Sequence, residues 1–106
     1  MTDKRIILTT CGSQEEAEKI AHHMIERHVA ACVNIVPKIT SIYRWKDKIE
    51  SQSEWLLLIK TNADHVARVR EAITVLHSYE LPECVVLAME DGSEQYLKWM
   101  DDSLKA

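Results

Sequence analysis

The chain has 106 residues, 46% of them hydrophobic and 28% charged, with a net charge of −4, amounts that suit one globular domain with a sizeable core. The negative balance and the lack of a basic run argue against a nucleic-acid or anionic-membrane partner, and the apolar runs are too short for a bilayer span or a signal peptide. Three cysteines, odd in number and far apart, suit a reducing compartment such as the cytoplasm rather than a disulfide framework.

In chain order, IILTT at 6–10 reads as a short buried strand. Cys11 and Gly12 break it, and Ser13 with Glu16 forms a capping box for a helix ending near His28. That helix carries its apolar stripe on Ala17, Ile20, Ala21, Met24 and Ile25. Residues 30–45 form a strand far longer than usual, rich in β-branched and aromatic side chains. Ala31, Val33 and Ile35 share one face and Cys32, Asn34 and Val36 the other. Pro37 cannot donate to a ladder and points to a bulge or an open side. A long apolar edge invites pairing with another copy, so this is read as a subunit-joining strand.

Residues 46–48 form a charged turn, and 50–53 read as a second polar break. Residues 55–59 are apolar on both faces, as in a central strand. Thr61 or Asn62 is positioned to cap a second helix striped by Val66, Val69, Ile73 and Leu76. A loop around Pro82 leads to a fourth strand over 84–89, then Ser93 caps a last helix carrying Tyr96, Leu97 and Met100. The order predicts an α+β fold, a ferredoxin-like βαββαβ sandwich with a C-terminal helix, an extended hairpin of its second and third strands, and the long second strand at a sheet edge. Three such edges can close a ring, which makes a homotrimer the expected assembly.

Five segments in this order carry a resemblance: AACVNIVP at 30–37, SIYRW at 41–45, LIKT at 58–61, YELPE at 79–83 and YLKW at 96–99. With them the chain resembles the CutA family, the divalent-cation tolerance proteins, over nearly its whole length. The resemblance implies a tight homotrimer joined through the long strands, a loose link to copper and other divalent metals, and no established catalytic reaction. It also associates the positions of Cys11 and His77 with metal binding; sulfur and imidazole suit copper or zinc. The chain departs from the family in having Asp47 where glycine is usual in the hairpin turn and Ser78 where proline is usual after His77. Where some members have a second histidine it has Leu76.

Cys32 and Cys84 read as small apolar residues of strands, and the adjacent His22 and His23 as solvated side chains. A closed zinc site asks for about four protein ligands, and the pattern names two. Tyr43, Trp45, Lys60 and Glu83 are the expected edge of an intersubunit cleft, with Lys60 and Glu83 supplying opposite charges to orient a small ligand. No nucleophile elbow, phosphate loop or zinc-protease motif occurs. The expectation is a non-enzymatic trimer of divalent-metal response that binds copper or a similar ion weakly. Its rivals are a trimeric signalling module with a small effector in the intersubunit cleft, and an enzyme working in that cleft.

Overall fold

A computed structural model describes residues 1–106. Its elements are β1 (Lys4–Cys11), α1 (Gln14–Glu26), β2 (Cys32–Trp45), β3 (Lys48–Asn62), a single 3-10 turn (Ala63–His65), α2 (Val66–Leu76), β4 (Val85–Ala88) and α3 (Glu94–Ser103). The sheet order is β2-β3-β1-β4 with every neighbouring pair antiparallel, which leaves β2 and β4 as edges. The α+β expectation and the edge placement of the long strand therefore hold.

Local signals explain most boundaries. The Ser13 hydroxyl accepts the Glu16 N–H at 3.1 Å and starts α1. That helix stops at Glu26, earlier than expected, because His28 takes a left-handed φ of 56° and turns the chain away. At Pro37 the β2–β3 register shifts between Val36 and Ile39, the bulge that a missing donor demands. The polar stretch 50–53 does not break the chain: β3 runs through it, with Ser41 opposite Gln52 and Tyr43 opposite Glu50. Its polarity reflects a hairpin arm that α1 and α2 do not cover. Thr61 lies inside β3 and donates its hydroxyl to the Val29 carbonyl at 2.6 Å, so the capping role falls to Asn62. β4 is shorter than expected, and Cys84 precedes it.

The hairpin makes the chain long, 44 × 25 × 22 Å. Its radius of gyration of 14.3 Å exceeds the roughly 13 Å of a compact domain this size. The main core lies between one sheet face (Ile7, Cys11, Leu57, Ile59) and helices α1 and α2 (Ala17, Ile20, Met24, Val69, Ile73). On the opposite face α3 reaches only one end, where Lys4 pairs with Asp3 and Asp101 and Lys60 donates to the Tyr96 hydroxyl. Beyond that end the face is mostly apolar, with Asn34 and Thr10 among its polar members. The register aligns Ile6 with Leu87, Leu8 with Val85 and with Leu58, and Val36 with Leu56. Val85 and Leu87 are each 45% exposed there.

Candidate functional site

β1 ends at Cys11 and α2 ends at Leu76, and the chain brings their ends together. The His77 N–H closes α2 on the Ile73 carbonyl at 2.9 Å, while its ring turns inward. A carbonyl can only accept, so Nε2–H donates to Thr10 O at 2.6 Å. Nδ1 then accepts the Tyr79 N–H at 3.0 Å. Glu16 Oε2 lies 3.8 Å from Nδ1 and is already held by the Ser78 N–H at 2.8 Å, with Oε1 taking the Ser78 hydroxyl at 3.1 Å. Proline at 78 would offer neither donor, so serine there ties the loop to α1.

Cys11 is fully buried, and its Sγ points at the Ser13 carbonyl at 3.8 Å. Burial first, and then the charge of Glu16, push its thiol up to about 11. At pH 7 roughly one such thiol in ten thousand is ionised. The expected pair thus consists of a neutral thiol and an imidazole with both nitrogens engaged, and no group of three or more His, Cys, Asp or Glu converges to hold an ion. As folded, Cys11 and His77 do not fit a resident metal. Of the other candidates, Cys32 is half-buried with Sγ 3.8 Å from Asn34 Oδ1 rather than in the interior. Cys84 is half-buried against the core, and His22 is exposed.

Beside this knot, where the hairpin leaves the sheet, lies a cavity of about 810 Å³. Tyr43, Trp45 and Glu83 line it, as expected of the cleft. Lys60 does not: it stands at the other end of β3, its Nζ 5.5 Å over the Tyr96 ring. Within one chain the cleft therefore has no cation opposite Glu83. Sequence reasoning missed Glu54 and Tyr79, whose hydroxyl donates to Glu54 Oε2 at 2.8 Å. The signal for Glu54 was the period-two run Glu50, Gln52, Glu54 along one strand. Burial and the neighbouring Glu54 push both the Tyr79 hydroxyl and the Glu83 carboxyl up.

The sequence pattern of the family described as CutA1 divalent ion tolerance protein matches residues 5–103. The chain belongs to that family. It is 40% identical to the divalent-cation tolerance protein CutA of Thermus thermophilus, covering 94% of this chain and 97% of that one. It is 45% identical to the CutA homolog of Xenopus laevis over 88% of this chain, but spans only 62% of that protein's length, and 51% of the human CutA it also matches. The crystal structure of CutA from Xylella fastidiosa superposes with a TM-score of 0.95 at 38% identity, covering 98% of this chain and all of that one.

Proposed function

We propose that the chain serves divalent-metal tolerance as a non-enzymatic homotrimer, and that copper or any similar ion it takes is held weakly. The observation that carries weak binding is the state of His77. An ion at Nδ1 or Nε2 must displace a hydrogen bond of about 1 kcal/mol, leave a buried donor or acceptor unmet, and draw a proton from Cys11. The trimer reading rests on the apolar sheet face that α1 and α2 leave uncovered and on the free β2 edge. The strand order supports naming the protomer a ferredoxin-like sandwich. Three free cysteines support a cytoplasmic setting.

Calorimetry of Cu(II) and Zn(II) on the assembled protein, with Cys11→Ser and His77→Ala, tests this. The expected dissociation constant is roughly micromolar or weaker, lost in either variant. Copper binding unchanged in both variants would move the site elsewhere. The cavity favours a second reading, a trimeric signalling module that takes a small effector in the cleft of Tyr43, Trp45 and Glu83.

A further inference from the structure

We propose that the cleft beside the hairpin is a site for an organic cation, an aliphatic amine of the polyamine class, bound between Glu54 and Glu83 and walled by Tyr43, Trp45 and Tyr79. The proposal rests on the second reading above and names the chemistry of its effector.

Charge is the first argument. Glu50, Glu54, Glu80 and Glu83 line the cavity, and no lysine or arginine does. Glu54 is the decisive member: it is 5% exposed, yet only one of its oxygens is hydrogen-bonded, to the Tyr79 hydroxyl. A carboxylate taken that far from water is costly unless a positive charge and further donors meet it. Thr9 Oγ1 is the one fully buried side-chain atom without a partner, so the second oxygen of Glu54 keeps contact with open space, where an N–H donor in the cavity can reach it. Glu83 lines the same space, and burial first, then the charge of Glu54, push its carboxyl up. A cation between the two removes both penalties.

The kind of cation follows from the spacing and the walls. A bare divalent ion needs several oxygens within about 2.6 Å of one point, and nowhere in the chain do three acidic, His or Cys groups converge in that way. Dispersed carboxylates suit separated ammonium groups on a flexible stem, each making charge-assisted N–H···O bonds. The aromatic walls suit the same ligand, because methylenes pack on ring faces and ammonium is drawn to them. The chain displays that affinity locally, with the Lys46 Nζ 5.7 Å from the Trp45 ring centre. A cavity of about 810 Å³ lies within the range of small-ligand sites. Ile42 and Leu81, each 71% exposed, rim the cleft and would meet a neighbouring copy, so the assembled protein is the species to measure.

The test is calorimetry at low salt with spermidine, MgCl2 and citrate as probes, Trp45 emission serving as a second readout. Spermidine should bind, and magnesium and citrate should not compete. Glu54→Gln and the exposed Glu83→Gln should each weaken spermidine by about tenfold, the loss of one charged contact, while Glu26→Gln, exposed at the far end of α1, should change nothing. Should Glu54→Gln fail to fold, Glu83→Gln decides. Spermidine binding untouched by Glu83→Gln, or equally weakened by Glu26→Gln, would overturn the site as general attraction to an acidic surface. Citrate binding that Glu83→Gln alters would overturn the amine while keeping the effector cleft. Silence from every probe would overturn both.

Discussion

Leu87→Glu tests the proposed trimer. Leu87 lies on edge strand β4, aligned with Ile6 on the sheet face that α1 and α2 leave bare, and is 45% exposed in one protomer. Covering that remainder is worth roughly 1 kcal/mol per copy, about 3 kcal/mol over three copies. A carboxylate in its place, once covered, adds several kcal/mol per ion in desolvation, bringing the total to the order of 10 kcal/mol per trimer. In a lone protomer the same glutamate stays in water, and the change costs under about 1 kcal/mol. Light scattering coupled to size exclusion, with circular dichroism to verify the fold, reads the difference. The expected result is a folded monomer or a strongly concentration-dependent assembly, and Val85→Lys on the same face should behave alike. An intact trimer with unchanged melting would refute the assignment of this face to the interface.

The alkaline limb should carry the signature of Cys11. An unfolded thiol titrates near 9.0 and the folded one at about 11, so across that interval the native state holds a proton the unfolded state has lost. Stability from this group is whole below pH 9 and disappears as pH rises through 11; urea midpoints of Cys11→Ala should fall less steeply over that range than those of the parent. Lys4, whose ammonium is pulled down by burial but raised further by Asp101 and Asp3, should make both proteins lose stability above its unfolded pKa of 10.5. In the hairpin turn, Lys46 and Asp47 both hold positive φ, 51° and 65°. Asp47→Gly should relieve strain and gain about 0.5–1 kcal/mol, seen as a rise of a few degrees in melting temperature; a lower value would show the aspartate to be the better fit.

What the sequence conveys well is whatever depends on near neighbours. Strand and helix periods, the Ser13 and Ser93 caps and the Pro37 bulge all arise within a few residues of their cause. The false break at 50–53 came from reading polarity as a turn. Those residues belong to an arm beyond the helical layer, where neither strand face meets that layer, so polar alternation there is compatible with an unbroken ladder. Thr61 misled for a related reason: a hydroxyl suited to capping is equally suited to a buried carbonyl, and Val29 supplies one from thirty-two residues away.

The site was legible in composition and illegible in pairing. Cys11 and His77 do arrive at one place, but a sequence does not say that Thr10 and Tyr79 have already taken both imidazole nitrogens. Three of the four cleft residues line one cavity, while Lys60 is drawn to Tyr96 at the far end of the same strand. Within one protomer, then, the cavity holds only the acidic half of the charge pair expected between subunits. A cleft with Lys60 opposite Glu83 would orient a zwitterion, whereas the one the chain builds presents Glu54, Glu83 and three aromatic rings with no cation of its own. Soft-metal chemistry at the buried thiol is held back by its proton, and the accessible negative charge lies in the neighbouring cleft. Tyr79 links the two places through a backbone N–H to His77 and a hydroxyl to Glu54, so disturbing either end should be felt at the other.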